Sequence, residues 1–559
     1  MTVRKIMAIT TYVIKAYSFK AAAFEKSTKI PLESQQRLLL ELLARNKNTV
    51  YGKEYDFAHI HSIGDYQRRV PLNNYETLRP YIDRLTRGET NILTVDKPIL
   101  FGVTSGTTGK PKYIPVTDFT RNKKKEVMDI WTYYILRDHP KILNGKILAI
   151  VSPEIEGYTT SKIPFGAESG HAYKNMPEVV KNLYVLPYEV FEIKDYDAKY
   201  YCILRIAMEQ NISTIATLNP STILLLCQRI EKAKDGVIDD IRHGMLNPDL
   251  NIRYDIRKKI ESRLKPNPGR ADELIRLAKN RGGELVAGDF WPNLEIIVCW
   301  KAGSVGVYIS HLKNYFSEHV SIRDFGYLAS EARVSIPMSD ETSGGVLAIT
   351  SNFCEFVPLD EMDKEVKTYL LPHQLEVGQE YYIILTTHGG LYRYNIDDII
   401  KVTGFFNNTP IIEFKQKGSI VSSVTGEKIY ESHINDAVSK AAEMIGADLQ
   451  FFSAFVEWGV VPRYAFLVEI INDLTREHKV FLLKNIEEEL AKINVEYELK
   501  RRSQRLGHPV LKVVQRGTFE EYRSKKIAEG SHDGQFKMPK LTSDINFYKN
   551  FKIIEEIKV

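Results

Sequence analysis

A stretch rich in hydroxyl groups and glycine, beginning at residue 104, has the composition of a phosphate-binding loop. It reads Thr104-Ser105-Gly106-Thr107-Thr108-Gly109-Lys110-Pro111-Lys112 and follows an apolar run, 98–101, that predicts a buried strand. Two glycines permit a tight turn whose backbone N–H groups bind an anion, and the hydroxyls and lysines add donors and positive charge. An ordinary surface loop of Ser, Thr and Gly is the alternative interpretation.

The spacing of this stretch excludes two common nucleotide-binding loops. A Walker A loop needs a glycine five residues before the glycine of its Gly-Lys pair, and a Ser or Thr directly after the lysine. Here Thr104 stands five residues before Gly109, and Pro111 follows Lys110. The spacing G-x-G-x-x-G is absent from the stretch as well. The order of hydroxyls, glycines and lysines instead resembles the phosphate loop of adenylate-forming enzymes, which activate a carboxylic acid with ATP.

Length, charge and cysteine usage set broad limits on function. With 559 residues the chain is long enough for two or more domains. The net charge of +5 is spread over the chain and argues neither for nor against nucleic acid. We expect small molecules as partners, and no nucleic acid. Four scattered cysteines predict reduced thiols in a reducing compartment, the cytoplasm. No apolar run reaches about 18 residues, so we expect no transmembrane segment, and the basic segment 1–23 is expected to pack on the protein body in preference to a membrane.

Strands alternate with helices over the first 300 residues, which predicts an α/β fold with mostly parallel sheets. In such a fold, ligands bind at the carboxyl ends of the strands. The predicted strands are 146–151, 213–217 and 294–299, and the predicted helices are 33–45, 121–137, 222–230, 255–265 and 271–281. The stretch 161–177 is rich in Gly, Ser and Pro and is predicted to be a loop, either lining an acyl pocket or lying on the surface.

The pattern of predicted elements changes near residue 345, from alternating strands and helices to short strands alone. Short predicted strands without helices over about 345–415 indicate a small β-barrel-like unit, with strands at 346–356, 381–387, 391–394 and 411–414. A polar, glycine-containing linker at 415–419 predicts a domain boundary. We therefore predict an N-terminal domain, 1–417, that binds ATP and an acyl acid, and a smaller, mobile α+β C-terminal lid domain, 418–559. The long helix of that lid is predicted at 477–503.

Taken in order, several stretches make the chain resemble the auxin-responsive acyl acid amido synthetase family, a branch of the adenylate-forming superfamily that includes acyl-CoA synthetases, adenylation domains and luciferases. The resemblance covers nearly the whole chain, and five or more of these stretches in one order make a specific signal. They are 104–115, Trp291-Pro292-Asn293-Leu294, 302–304, 327–331, 390–398, Thr425-Gly426-Glu427-Lys428 and Gln535-Phe536-Lys537-Met538-Pro539.

The resemblance implies a reaction and a role for each matching residue. ATP would activate a carboxylic acid as an acyl adenylate, and an amine, expected to be an amino acid, would then take the acyl group with release of AMP. The residues implied to hold the triphosphate are Ser105, Gly106, Thr107, Thr108, Gly109 and Lys110, with Lys112 as an equal candidate to Lys110. Ser330 is implied to donate to the α-phosphate, and Glu331 to hold Mg²⁺, a cation that prefers carboxylate and phosphate oxygens.

Three further residues are implied to complete the site. Tyr327 would stack on adenine, and Asp398 would accept both ribose hydroxyls, which a carboxylate can do. Lys537 is the expected mobile catalytic cation, brought to the α-phosphate when the C-terminal domain swings about the linker near 417–418. The structural alternatives are a core tyrosine at Tyr327, a helix start at Ser330 and Glu331, a turn cap at Asp398 and a solvated tail lysine at Lys537.

Two other functions remain open at this point. Coenzyme A in place of the amine would make the protein a thioester-forming synthetase, although the order of the C-terminal elements favours amide formation. A nucleotide-binding or scaffolding protein that has lost catalysis is the third hypothesis, because the chain departs from the family pattern twice. Leu328 stands where the family usually has a small residue, and Asp397 replaces the glycine of an Arg-x-Gly-Asp motif, which here reads Asn395-Ile396-Asp397-Asp398.

Overall fold

The computed structural model describes residues 3–104, 112–302, 308–418, 421–422, 427, 429–457, 461–502, 506–529, 536–542, 544 and 546–558. Its α-helices are α1 Val3–Ser27, α2 Pro31–Asn46, α3 Val50–Glu54, α4 Ile63–Arg69, α5 Tyr75–Thr86, α6 Asp118–Asp138, α7 Glu168–Lys174, α8 Glu178–Lys181, α9 Tyr196–Ala207, α10 Pro220–His243, α11 Tyr254–Glu261, α12 Pro268–Asn280, α13 Ala287–Phe290, α14 Ile309–Leu312, α15 Glu431–Ile445, α16 Arg476–Ile493, α17 Val495–Arg502 and α18 Thr518–Ala528.

Within the described residues the strands form five sheets. They are β1 Leu100–Thr104, β2 Lys112–Val116, β3 Lys146–Ala149, β4 Gly157–Tyr158, β5 Pro164–Gly166, β6 Ile212–Ala216, β7 Ile296–Val298, β8 Ser321–Arg323, β9 Ser335–Ile336, β10 Gly345–Leu347, β11 Phe353–Pro358, β12 Glu380–Thr386, β13 Tyr394–Phe406, β14 Thr409–Lys417, β15 Val421–Ser422, β16 Ile429–Tyr430, β17 Leu449–Glu457, β18 Arg463–Ile470, β19 Val510–Val514, β20 Leu541–Thr542 and β21 Ile553–Lys558.

The chain divides into two compact units. The first contains Met1–Ala302 and His311–Phe414, and the second contains Gly303–Ser310 and Lys415–Val559. The short segment from the middle of the chain that belongs to the second unit is not evident from the sequence, because a linker of eight residues carries no distinctive composition. The predicted mobility of the C-terminal domain stays a prediction.

The first unit contains three sheets of different kinds. Strands β3, β6, β7 and β8 are parallel neighbours in that order. In the sheet β2-β1-β5-β4 only the β1–β5 pair is parallel. The third sheet has the order β11-β12-β13-β14-β10-β9, with antiparallel pairing at β11–β12, β12–β13, β10–β14 and β9–β10. The predicted α/β class is therefore confirmed, and the sheet in which every described pair is parallel, β3-β6-β7-β8, lies in the first unit.

The N-terminal helix α1 packs on the body of the first unit, as predicted. Ala21 and Phe24 are buried in its core. Lys20 pairs with Asp129 of α6 at 2.6 Å, and Glu25 accepts a hydrogen bond from the Tyr134 hydroxyl at 2.7 Å. Apolar burial and these polar contacts fix one face of the basic segment against the protein.

The second unit is an α+β layer structure. Its sheet has the order β20-β17-β18-β19-β21, with parallel pairing at β17–β20 and β18–β19. Helices α15 and α16 pack against it through buried side chains such as Val438, Ala441, Leu483 and Ile486. The predicted helix 477–503 is wrong in one respect, since it is two helices that meet at Asn494.

Three other element predictions were wrong. The stretch 161–177 is not a loop, because it contains β5 and α7. Residues 391–393 lie outside any strand, and the long strand β13 begins at Tyr394. The predicted strand 346–356 is two strands, β10 and β11. In each case a short apolar or polar run was assigned without knowledge of its pairing partner, which decides where a strand begins and ends.

Candidate functional site

The carboxyl ends of the parallel strands β3, β6, β7 and β8 lie at one edge of their sheet, since all four run in the same direction. Chain segments leaving this edge carry Glu154 after β3, Lys301 after β7, and Asp324 and Tyr327 after β8. This is the edge at which α/β sheets bind ligands. Two of the predicted nucleotide-binding residues, Tyr327 and Ser330, therefore leave the sheet at the expected side.

Ser330 and Glu331 form the tip of a tight hairpin. The N–H of Ala329 donates to the carbonyl of Ala332 at 2.8 Å, and the N–H of Val334 donates to the carbonyl of Tyr327 at 2.8 Å. Glu331 is buried and Ser330 is half-buried. The helix start considered for these two residues is therefore wrong, because they belong to a turn between paired backbones.

Tyr327 and Asp398 are in direct contact. The Tyr327 hydroxyl donates to Oδ2 of Asp398 at 2.5 Å, and both side chains are buried. Burial, and after it the charge of Asp398, raises the pKa of the Tyr327 phenol well above its ordinary value, so the phenol is the donor. The Tyr327 ring also lies 5.6 Å from the ring of Phe414. With 8% of its surface exposed, Tyr327 acts in this structure chiefly as an orienting donor to Asp398.

Asp397 lies in a β-bulge immediately before Asp398. The pairing of β12 with β13 shifts register between Tyr382 and Ile384, and Asp397 has a left-handed backbone with φ of +62°. Oδ1 of Asn395 accepts the Asp397 N–H at 2.8 Å, which forms a turn typical of Asn. A glycine suits this φ, and Asp is one of the few other residues that adopt it readily. The chain's departure from the Arg-x-Gly-Asp pattern thus keeps the bulge that presents Asp398.

The predicted phosphate loop joins two paired strands beside Ser330. Thr104 of β1 pairs with Lys112 of β2, and a Cβ placed on Gly102 would lie 3.6 Å from the Cβ of Ser330. Lys112 lies with its Nζ 5.7 Å from the Tyr75 ring. The structure does not describe the loop residues themselves, which are Ser105, Gly106, Thr107, Thr108, Gly109, Lys110 and Pro111. Strand β1, which leads into the loop, nevertheless passes close to Ser330 at Gly102.

Lys124 holds the Ser330–Glu331 turn in place and was not predicted. Its Nζ donates to the carbonyl of Ser330 at 2.8 Å and to Oε2 of Glu168 at 2.6 Å, and the lysine is 7% exposed. Arg333, across the hairpin from Leu328, lies near Glu168 as well. Burial lowers the pKa of Arg333 to about 10, against the opposing charge of Glu168. No signal in the sequence indicates this role, because Lys124 is the middle residue of three consecutive lysines, 123–125.

Asp324 ties the hairpin to the segment after β7. Its Oδ2 accepts the N–H of Lys301 at 2.5 Å, its Oδ1 accepts the N–H of Gly326 at 2.6 Å, and its carbonyl accepts the indole N–H of Trp131 at 3.0 Å. Burial raises the pKa of the Asp324 carboxyl to about 6, although these N–H groups act in the opposite direction. Lys301 directly precedes Ala302, the one described residue of the family-like stretch 302–304, so one buried carboxyl links the chain beside that stretch to the hairpin that carries Ser330.

Helix α7 contributes a second polar group that the loop prediction missed. His171 contacts Oε1 of Glu154 through Nδ1 at 2.7 Å and Arg121 through Nε2 at 3.2 Å. Because Arg121 only donates, His171 accepts at Nε2 and donates from Nδ1 to Glu154. Tyr173 lies in the stretch 161–177, for which an acyl-pocket lining and a surface loop were both open, and it is buried with its hydroxyl donating to the carbonyl of Leu186 at 2.6 Å. Its position gives no support to a role in acid binding.

The described residues include no group of three or more His, Cys, Asp and Glu side chains that would hold a metal alone. Glu331 is a single carboxylate beside the predicted phosphate loop. Mg²⁺ that accompanies a nucleotide is held by one or two carboxylates together with phosphate oxygens, so this donor set fits a nucleotide-borne Mg²⁺. His59 and His61, two residues apart in the sequence, are not part of this candidate Mg²⁺ site, and His59 pairs with Asp56 at 2.6 Å.

Lys537 belongs to the second unit. It is exposed, and the next residue, Met538, is buried. Of the stretch 425–428, only Glu427 is described, and its Oε1 accepts the Tyr464 hydroxyl at 2.8 Å. The two units thus carry separate residues of the predicted site, with Tyr327, Ser330, Glu331 and Asp398 in the first and Lys537 in the second.

Comparison with known families and structures agrees with this geometry. Residues 20–321 match the model of the GH3 family N-terminal domain, residues 345–417 match that of the GH3 family central domain, and residues 432–546 match that of the GH3 family C-terminal domain. A solved structure of GH3.15 acyl acid amido synthetase superposes with a TM-score of 0.84, at 22% identity, over 95% of each chain. At this identity the likeness shows a shared fold.

Two curated relatives are similar over nearly their full length. Indole-3-acetic acid-amido synthetase GH3.10 from Arabidopsis thaliana is 25% identical over 93% of both chains. Jasmonoyl–L-amino acid synthetase GH3.5 from Oryza sativa subsp. japonica is 26% identical over 94% of both chains. The resemblance read from the sequence motifs is confirmed.

Among the described helices, none has the length and apolar character needed to cross a membrane.

Proposed function

The chain belongs to the GH3 family, and on that premise we propose that it is an ATP-dependent ligase that joins a carboxylic acid to an amine. The acid is activated as an acyl adenylate, and an amino acid is the proposed acceptor. One observation carries the proposal. Strand β1, which leads into the predicted phosphate loop, lies next to Ser330, and the hairpin that bears Ser330 also bears Tyr327 with its bond to Asp398. The relatives compared above are named as amido synthetases, which supports the same chemistry.

The first half-reaction is a displacement at phosphorus. An oxygen of the bound carboxylate forms a bond to the α-phosphorus of ATP, and the bond from that phosphorus to the pyrophosphate oxygen breaks. Because two anions approach each other, the protein contributes mainly by positioning the reactants and by stabilising charge on the phosphoryl oxygens. The hydroxyls and amides of residues 105–110 and the Ser330 hydroxyl are the proposed donors to those oxygens.

Asp398 is the proposed anchor for the ribose. A carboxylate offers about four lone-pair sites and can accept several donors, here the Tyr327 phenol and, as we propose, the two ribose hydroxyls. The phenol also orients the Asp398 side chain before ATP arrives. Tyr327 therefore prepares Asp398, and we propose that its ring stacks on adenine.

Glu331 is the proposed ligand of Mg²⁺, which supplies positive charge to the triphosphate oxygens when it is bound with ATP. Lys537 is the proposed cation that meets the α-phosphate as charge develops there.

In the second half-reaction the amine nitrogen forms a bond to the acyl carbon, the bond from that carbon to the AMP oxygen breaks, and the nitrogen loses a proton.

We further propose a reducing, cytoplasmic location, supported by four buried cysteines without disulfide bonds.

The proposal is tested by the exchange of radioactive pyrophosphate into ATP with a panel of carboxylic acids. An acid that supports exchange identifies the adenylation step, and added amino acids or coenzyme A then distinguish amide from thioester products. Lys537→Ala is expected to reduce exchange at least tenfold with little change in ATP affinity, because the lysine meets charge that appears only during transfer. Asp398→Ala is expected to weaken ATP binding instead. No heat of Mg-ATP binding to folded protein in calorimetry would refute the proposal.

A further inference from the structure

Lys540 is a buried lysine in the second unit, three residues after Lys537. It is 1% exposed, and its Nζ lies 3.7 Å from the centre of the Phe452 ring and 5.3 Å from that of Tyr308. To the residues that the structure describes, its Nζ makes no hydrogen bond. Burial lowers the pKa of this lysine to about 7, with Glu431 acting in the opposite direction. A buried ammonium is unfavourable unless something compensates it, so its presence at this position needs a reason.

The backbone around Lys540 is hydrogen-bonded to two elements, α15 and β17. Its N–H donates to Oε1 of Glu431 at the start of α15, at 3.1 Å, and its carbonyl accepts the N–H of Ala454 at 2.8 Å. One residue earlier, the carbonyl of Pro539 accepts the hydroxyl of Ser453 at 2.6 Å. The chain then enters β20, a strand of only two residues that pairs in parallel with β17. These bonds run along one short segment, 538–542, which bends at Lys540 before it enters β20.

A strand of two residues defines its register weakly. A shift of one residue that moved Lys537 to the place of Met538 would bury it. The same shift brings Pro539, which has no N–H, to the place of Lys540, so the bond to Glu431 is lost, while the other residues of the segment each still offer one donor and one acceptor. One lost hydrogen bond selects the register only weakly, so a side chain that fits only one position adds to the selection of the residue that points outwards.

We propose that Lys540 is a positioning residue, whose side chain locks the tail in the register that presents Lys537 to solvent. Its ammonium is attracted to the faces of Phe452 and Tyr308, a contact that an apolar side chain does not reproduce. Buried polar groups fix register in this way in other folds, at some expense in stability. Tyr308 comes from the central segment of the chain and Phe452 from β17, so the lock joins three distant stretches.

The register itself is tested through thiol chemistry, which does not depend on activity. The four native cysteines are buried, so Lys537→Cys introduces the one thiol expected to react rapidly with a disulfide reagent. With Lys540 intact, that thiol is expected to react in a single fast phase. Adding Lys540→Met is expected to produce a second phase at least threefold slower, as part of the population turns residue 537 inwards. A single unchanged phase in the Lys540→Met background would overturn the inference.

Two further variants separate charge and side-chain length from general damage. Lys540→Arg keeps a cation over the two rings and is expected to retain the single fast phase, so a mixed phase there would also overturn the inference. Lys525→Met, on the exposed face of α18, is the matched control and should change neither reaction phases nor exchange.

The catalytic consequence rests on the proposed function, and it is measured separately. With Lys537 present, Lys540→Met is expected to lower kcat for pyrophosphate exchange at least fivefold and to leave KM for ATP within twofold. Normal exchange in Lys537→Ala would contradict the proposed role of Lys537, yet the thiol experiment would still report the register. Normal kcat in Lys540→Met, with exchange lost in Lys537→Ala, would overturn the positioning role alone.

Discussion

Replacing Tyr327 by Phe removes one hydroxyl and leaves the ring in place, so it isolates the contact with Asp398. That hydroxyl is the donor to Oδ2 of a buried carboxyl at 2.5 Å. A hydrogen bond to a charged group contributes about 1.5–3 kcal/mol to stability. We therefore expect Tyr327→Phe to lower the free energy of unfolding of the first unit by an amount in that range.

The effect on ATP binding is smaller and follows from lost orientation. Without the phenol, the Asp398 side chain regains up to three χ1 wells and two χ2 positions, and ATP must order it again. The corresponding free energies, RT ln 3 and RT ln 2, sum to about 1 kcal/mol, which is at most an approximately sixfold rise in the ATP dissociation constant. kcat for pyrophosphate exchange should change less than twofold, because the phenol does not meet the α-phosphate.

Calorimetric titration of Mg-ATP and thermal unfolding of the same protein preparation measure the two effects. Tyr392→Phe is the matched control, since its hydroxyl donates to the carbonyl of Leu93 at 2.7 Å in the same unit. It should lower stability by about 1 kcal/mol, as for a neutral hydrogen bond, and leave ATP affinity unchanged. If Tyr327→Phe loses stability but binds ATP as the parent does, Asp398 needs no orienting and the assigned role of this pair is wrong.

Three other changes give distinct outcomes. At the bulge, Asp397→Gly should be about 1 kcal/mol more stable than Asp397→Ala in denaturant unfolding, because only glycine avoids the left-handed penalty; an Ala variant of equal stability would contradict this. Lys124→Met should lower the free energy of unfolding by about 2 kcal/mol, and the added Glu168→Gln should recover part of it by removing the stranded charge, whereas strictly additive effects would deny the ion pair. The pKa of Asp324 is raised to about 6, so the folded state takes up the proton first; stability relative to Asp324→Asn should rise as pH falls from 6 towards 4, and a flat difference in thermal melts would refute the assignment.

Local chemistry in the sequence was enough to indicate which residues matter. Hydroxyls, glycines and lysines between residues 104 and 112 indicated phosphate, and the order of the other stretches indicated the family. Helices such as α2 and α6, and strands such as β3, β6 and β7, also follow from periodicity and residue type, because their patterns extend over several residues. Packing of the N-terminal segment against the body followed from its mixture of apolar and basic residues.

Properties that depend on a distant partner were not available from the sequence. The stretch 161–177 looks like a loop because its Gly and Pro content dominates a local reading, yet β5 gains its partner in β1, some 60 residues earlier. Lys124 and Lys540 are ordinary lysines in the sequence, and burial by residues far along the chain gives them their roles. The left-handed Asp397 is likewise visible only once β12 and β13 are paired.

Sequence alone determined the reaction class and the family, and it predicted which residues face the nucleotide, because those features are set by residue type and short spacing. Tertiary structure alone decided which of these residues touch, namely Tyr327 with Asp398 and Ser330 with the strand that enters the phosphate loop. It also decided which lysines are buried and how the tail is held. Contact, burial and electrostatic shift arise from the surroundings of a side chain, and residues separated by up to hundreds of positions supply those surroundings.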